Sequence, residues 1–166
     1  MKDAIPYILD GGDCHVGLES TVVAFQNDEL LVLRAGGITV EALKNIHPKV
    51  SLALNVSSNP QSPGQLKTHY APKTPFIIGD IEALIDQYPD KSLGILSFKK
   101  DHEATNIKSC ELLSIHGDLN EAASNLFAKM RRLDELLLDI ILAEFVPERG
   151  LGIAINDRLK RAAAVA

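Results

Sequence analysis

Apolar and polar positions alternate along this chain in three distinct ways. Residues 21–25 (TVVAF) and 30–34 (LLVLR) are β-branched or aliphatic runs separated by the polar Gln26-Asn27-Asp28-Glu29. That pattern predicts two strands joined by a hairpin turn. A short helix is predicted next, with Thr39 as its N-cap and Ile38 placed to staple against Leu43. Residues 50–56 then alternate as another strand.

Between residues 57 and 75 the periodicity disappears. Prolines at 60, 63, 72 and 75 fix φ and push the residues before them toward extended backbone, so a semi-rigid strap is predicted rather than a helix. Beyond it strands and helices alternate. Strands are predicted at 76–78, 93–98 and 111–115, and a helix from Asp80 to about Gln87. A longer helix is capped by Asp118, with Glu121 at N3 in a capping-box relation and a stripe of Ala122, Leu126, Met130 and Leu133. Residues 137–145 read as a buried strand or as a continuation of that helix, and a last helix runs from about 151 to 163. This alternation predicts an α/β protein. Its C-terminal part is a Rossmann-like open parallel sheet with helices on both faces, preceded by an incomplete α+β segment.

Composition narrows the choice of chemistry. The chain has 166 residues, 46% of them hydrophobic, and a net charge of −5. An acidic balance argues against nonspecific nucleic-acid binding, which needs clustered Lys and Arg. The basic clusters at 129–132 and 158–161 both fall on predicted helices and read as solvated faces. Cys14 and Cys110 are isolated, and the five histidines show no zinc spacing, so neither a disulfide nor a metal site is expected. No apolar run approaches the roughly 18 residues of a membrane span. The opening Met-Lys-Asp-Ala-Ile-Pro lacks a signal-peptide core, and a cytoplasmic location is expected. Gly150-Leu151-Gly152 lacks the third glycine and downstream acid of a dinucleotide site.

Candidate chemistry concentrates before residue 76. Asp10-Gly11-Gly12 signals a turn. Glu19-Ser20-Thr21 sets two hydroxyls beside a carboxylate at the start of a strand. It reads either as a turn satisfying its own backbone or as a polar rim for a small substrate. Arg34 closes an apolar strand just before Ala35-Gly36-Gly37. It reads either as a surface ion-pair partner or as a planar fork offered to phosphate or carboxylate. The strap carries Lys67, His69 and Tyr70, more useful side chains than a plain linker needs. No Ser–His–Asp or Cys–His nucleophile can be assembled, so any catalysis here is orientation and charge stabilisation.

These segments together resemble a known family. Residues 8–12 (ILDGG), 17–23 (GLESTVV) and 33–39 (LRAGGIT) resemble the closing part of a YrdC-like domain. Residues 62–72 (SPGQLKTHYAP) resemble the linker of the two-domain L-threonylcarbamoyladenylate synthases. The tail, with Arg132-Leu133-Asp134, Gly150-Leu151-Gly152 and Asp157-Arg158-Leu159, resembles their C-terminal domain. Ala35 stands where the family usually carries proline. The resemblance implies condensation of threonine, bicarbonate and ATP into threonylcarbamoyl-AMP and pyrophosphate, with Mg2+ accompanying ATP. The product feeds threonylcarbamoyladenosine modification of tRNA, where partner proteins act, while direct tRNA binding by this chain is not expected.

By position, the resemblance places Ser20 at the threonine end of the ligand with Thr21 beside it, Arg34 on the nucleotide phosphates, and Tyr70 with His69 over the nucleotide. It divides the chain into 1–56 (the end of the YrdC-like domain), 57–75 (linker and lid) and 76–166 (Rossmann-like domain). The family's Lys-x-Arg and Ser-x-Asn motifs are expected upstream, so the isolated chain is expected to be inactive. Unpaired strand edges in 1–56 predict dimerisation or disorder there. The competing expectation is a noncatalytic module that binds a nucleotide or a partner protein.

Overall fold

The computed structural model describes residues 6, 7, 9–12, 14, 16–53 and 71–164, and these fall into two sheets. The first begins as the predicted hairpin, β1 (Val22–Gln26) and β2 (Glu29–Arg34), paired antiparallel. Asn27 and Asp28 form its two-residue turn with φ of +49° and +61°. Positive φ at both central positions gives a twist that matches the strands, and Asn and Asp tolerate it better than most residues. Helix α1 (Val40–Lys44) follows, and its cap is the predicted one: Thr39 Oγ1 accepts from the Ala42 N–H at 3.2 Å. The chain then returns as β3 (Val50–Leu52), parallel to β2. The strand predicted over 50–56 thus ends by Leu52 within the described residues.

The second sheet holds β4 (Phe76–Ile78), β5 (Leu93–Ser97), β6 (Ile107–Leu112) and β7 (Ile140–Ala143), all parallel, in the order β4-β7-β5-β6. Helix α2 (Ile81–Gln87) joins β4 to β5, and α3 (Leu119–Asp134) joins β6 to β7. Helix α4 (Gly152–Ala162) ends the fold. One face packs Leu96, Ile141 and Ala143 against Leu126, Met130 and Leu133 of α3 and Ile155 and Leu159 of α4. The other packs Leu93, Ile95, Ile140 and Leu142 against Ile81 and its neighbours in α2. This is the expected Rossmann-like open sheet with helices on both faces. Each fully buried aliphatic side chain contributes roughly 1.5–3 kcal/mol.

Three local expectations need correction. The third strand of this domain lies at Ile107–Leu112 rather than 111–115, because it must pair with β5 in the register Leu93↔Ile107 to Ser97↔Leu112. Glu121 does not reach back to the Asp118 N–H. That N–H donates to Ser114 Oγ at 2.8 Å, and the Ser114 hydroxyl donates to Glu121 at 2.5 Å, so a serine is interposed in the capping box. The basic cluster at 158–161 is no solvated face, since Arg158 is 0% and Arg161 4% exposed. After α3, Leu137 at φ +52° turns the chain out of the helix, and 140–143 form a strand.

Candidate functional site

The hairpin register brings the two predicted polar elements side by side. Val22 pairs with Arg34 across β1 and β2, so Ser20, just ahead of β1, lies against the end of β2. Arg34 donates from Nε to the Ser20 carbonyl and from Nη2 to Ser20 Oγ, both at 3.0 Å. Ser20 is exposed and Arg34 half-buried, so the pair forms a rim. Beside it, Thr21 Oγ1 donates to the Ile38 carbonyl at 2.7 Å and accepts from the Ile38 N–H at 3.0 Å. This hydroxyl clasps the segment entering β1 to the segment leaving β2.

Gly36 makes the crossing of these segments feasible. A Cβ there would lie 2.2 Å from the Glu19 carbonyl oxygen and 2.6 Å from the Thr21 nitrogen. With no side chain in the way, the next amide, Gly37 N–H, donates to the Glu19 carbonyl at 3.1 Å. The Ala35-Gly36-Gly37 run therefore serves close backbone approach. Upstream, the Asp10 carboxylate accepts from the Gly12 N–H at 2.9 Å, the turn that Asp10-Gly11-Gly12 predicted.

The rim is tied to the second domain by contacts that sequence reasoning missed. Glu19 Oε2 accepts from Nε and Nη2 of Arg158 at 3.1 and 2.8 Å. Arg158 Nη1 donates to Asp157, and Arg161 donates to both Asp157 oxygens. The four groups form a charge-balanced network around a fully buried guanidinium. Their signal was available: Arg158 shares the helical stripe of Leu151, Ile155 and Ala162. A charged residue on an apolar stripe forecasts a buried pair. Gly17, at φ +66°, lies so close to α3 that a Cβ would meet the Ser124 Cα at 2.5 Å. A cavity of about 350 Å³ opens along this seam, lined by Cys14, Gly17, Ser124 and Arg131 among others. Glu41 accepts from the Gly150 N–H at 3.1 Å, and that bond, foremost, holds its carboxyl below the usual range.

Lys67, His69 and Tyr70 of the strap lie outside the described residues. Where the chain is described again, Lys73 and Thr74 donate their N–H groups to the Asp134 carboxylate at 3.1 and 2.8 Å. Burial alone would raise the Asp134 pKa. The two backbone donors outweigh it, and the carboxyl sits below its ordinary value. A cavity of about 520 Å³ lies between α2 and the loop after β5, lined by Glu82, Asp86, Lys100 and His102 among others. None of the predicted site residues lines it. Among the described residues, no group of three or more His, Cys, Asp or Glu side chains is arranged to hold a metal ion. No helix among them is long and apolar enough to cross a membrane.

The fold and rim define an α/β protein in which a small polar ledge on a hairpin is pinned to a parallel-sheet domain. Residues 38–164 match the family model of the threonylcarbamoyl-AMP synthase C-terminal domain, and the chain belongs to that family. It is 34% identical to the threonylcarbamoyl-AMP synthase of Bacillus subtilis, over 98% of this chain and 50% of that protein. Against the Schizosaccharomyces pombe threonylcarbamoyl-AMP synthase the identity is 33%, over 99% and 47%. The crystal structure of Pyrococcus abyssi Sua5 complexed with L-threonine superposes with a TM-score of 0.82 at 29% identity, covering 93% of this chain and 48% of that one. A variant of the same protein, with a histidine and the following tyrosine replaced by alanine, gives a TM-score of 0.79 at 28% identity, over 93% and 47%. The chain spans about half the length of the curated relatives it matches.

Proposed function

We propose that this chain is the C-terminal half of an L-threonylcarbamoyladenylate synthase, a nucleotidyltransferase acting in the cytoplasm. The reaction joins threonine, bicarbonate and ATP into threonylcarbamoyl-AMP and pyrophosphate, for use by partner proteins in tRNA threonylcarbamoyladenosine modification. The observation that carries this reading is the Ser20–Arg34 rim, in a chain that superposes over 93% of its length on a relative complexed with L-threonine.

In this reading Ser20 meets the threonine end of the ligand, and Thr21 holds the ledge through Ile38. Arg34 swings its fork from Ser20 to the nucleotide phosphates, where a planar donor pair binds strongly. His69 and Tyr70 close over the nucleotide. ATP would bring Mg2+ as the counter-ion of its phosphates. Residues 1–56 complete the synthase domain, 57–75 form the lid, and 76–166 form the accessory domain. In this reading the 166-residue chain alone is expected to show no turnover, since it spans about half the length of the synthases it matches.

Full-length protein tests this through threonine- and bicarbonate-dependent release of pyrophosphate from ATP. Arg34→Ala is expected to lower kcat/KM by ten- to a hundredfold, roughly the worth of a charge-assisted pair at 1.5–3 kcal/mol. Unchanged turnover in that variant sinks the phosphate role. Ligand binding without any turnover in the wild type leaves a noncatalytic binding module instead.

A further inference from the structure

Four acceptors on two consecutive residues reach in three directions. The Glu19 side chain grips Arg158 of α4, the Glu19 carbonyl accepts from Gly37, and the Ser20 carbonyl and hydroxyl accept from Arg34. A displacement of Glu19 therefore displaces both partners of the rim at once. Arg158, in turn, has little freedom. It is 0% exposed, its Nη1 is held by Asp157 at 2.8 Å, and Asp157 is itself fixed by two bonds from Arg161 at 3.0 Å each.

From this we infer that Arg158 is a positioning residue: through Glu19 it sets the register of the Ser20–Arg34 pair, so that the accessory domain shapes the substrate site. The inference rests on the proposal that Ser20 and Arg34 bind substrate, and it goes beyond that proposal by giving the C-terminal domain a task. Buried ion pairs are poor sources of net stability, since apolar side chains of the same volume often do as well. Their best-attested use is to fix one arrangement among several. Here the arrangement fixed is a ledge that has almost no core of its own, for among the described residues only Val32 and Ala35 of the first sheet and its exit segment are buried hydrophobics.

The link has directional chemistry as well as charge. Both Arg158 donors converge on the same Glu19 oxygen, Oε2. A glutamine at position 19 keeps an acceptor in reach and loses the charge, whereas alanine removes both. Lysine at 158 keeps the charge but cannot supply the fork.

The test uses the full-length protein carrying Glu19→Ala, Glu19→Gln, Arg158→Lys, the pair Glu19→Ala/Arg158→Lys and, for the substrate reading itself, Ser20→Ala. Lys49→Ala, which breaks an exposed ion pair with Asp28 on the same sheet, is the control. Two readouts are taken: the split between threonine KM and kcat, and hydrogen exchange of the Gly37 amide without ligand. Glu19→Ala is expected to raise threonine KM by roughly ten- to a hundredfold, the cost of misplacing a binding group by about an ångström. It is also expected to expose the Gly37 amide. Glu19→Gln should recover much of both losses, and the double variant should be no worse than Glu19→Ala alone. Because Glu19 is on a loop and partly exposed, its variants keep the test informative even if Arg158→Lys folds poorly.

The outcomes separate cleanly. If Ser20→Ala raises threonine KM while Glu19→Ala leaves KM and Gly37 exchange at wild-type values, the positioning role is overturned and the substrate reading stands. If Glu19→Ala exposes Gly37 while neither variant alters threonine kinetics, the mechanical link is supported and the substrate reading is the one that fails.

Discussion

Every residue of β5 and β7 is buried, whereas no residue of β1 is, and Phe25 on β1 is 63% exposed. Both regions are sheets, and both are rich in branched aliphatic residues, Val and Leu in the hairpin sheet and Ile and Leu in the parallel one. They differ in what covers them among the described residues: the parallel sheet carries helices on both faces, while the hairpin sheet has only the five-residue α1 and its seam with the second domain. The parallel sheet is held mainly by apolar packing, which carries no charge to screen or titrate. The hairpin sheet is placed by a few particular contacts: the polar ones from Glu19 to Arg158 and from Glu41 to Gly150, and the close packing of Gly17 against Ser124. A ledge held this way keeps its geometry only while each contact survives, and it is the ledge that carries the candidate chemistry.

The sharpest way to break this comparison is to remove apolar volume from each sheet. Leu96, on β5, is 0% exposed within the larger cluster. Leu96→Ala should cost about 2–5 kcal/mol, from lost transfer energy plus the cavity left behind. Phe25→Ala should cost no more than about 1 kcal/mol, because its main specific contact is an edge-on pairing with the His47 ring at 5.4 Å. Urea unfolding of the two variants decides it. Equal costs would mean that the hairpin sheet has a core comparable to the parallel one.

Gly36→Ala comes next and separates geometry from stability. The added Cβ falls 2.2 Å from the Glu19 carbonyl oxygen, a backbone atom that no rotamer change can move aside. Overpacking of this kind costs about 1–3 kcal/mol. The damage should be confined to the ledge: hydrogen exchange of the Gly37 and Ile38 amides speeds up, and that of β5 and β7 does not. Faster exchange throughout the parallel sheet would show that the two regions unfold as one unit.

A smaller effect comes from acid. The Asp134 carboxyl is depressed in the folded state, since the N–H donors of Thr74 and Lys73 outweigh its burial. A lowered folded pKa gives stabilisation that is complete above the unfolded value, near 3.9 for Asp, and is lost as pH falls through the folded value. The entry into β4 should therefore stay docked from neutrality down to about pH 4 and loosen below it. Asp134→Asn, which lacks the titration, should flatten that dependence in the exchange of the Thr74 amide. A Thr74 amide whose protection falls with acid below about pH 4 equally in the wild type and in Asp134→Asn would contradict the assignment.

Most of the parallel domain was legible in the sequence, for a physical reason. Strand and helix periods differ, and at Leu126, Met130 and Leu133 or at Leu93, Ile95 and Leu96 the apolar positions report directly on burial. Caps at Thr39 and Asp118 were legible because each needs only a local side chain. The shift of β6 to Ile107–Leu112 was not, since register depends on a partner strand ten or more residues away. For the candidate site, the pairing of Ser20 with Arg34 follows from the hairpin once its turn is placed. The Glu19–Arg158 bond spans 139 residues, and no local pattern encodes it. An arginine on an apolar stripe says only that some acid must come to meet it.

The finest test concerns the edges of the two regions, through one cysteine in each. Cys14 is exposed, ahead of the ledge, and its carbonyl accepts from the Ser124 hydroxyl at 3.3 Å. Cys110 is on β6, the outer strand of the parallel sheet, and burial pushes its thiol up to about 11 despite a backbone donor from His102. Only the thiolate alkylates, so at pH 8.5 about 0.3% of Cys110 is in the reactive form. Partial burial slows it further. Iodoacetamide at that pH should therefore label Cys14 well before Cys110, by mass spectrometry of the separated peptides. Raising the pH toward 11 should accelerate Cys110 steeply, because each unit multiplies its thiolate fraction about tenfold below the pKa. Equal labelling at pH 8.5 would mean that β6 opens readily, and that the solidity of the parallel sheet stops at β5. Selective labelling of Cys14 would carry that solidity out to the sheet's own edge, and would leave the ledge as the one region of the two that depends on its contacts to stay in place.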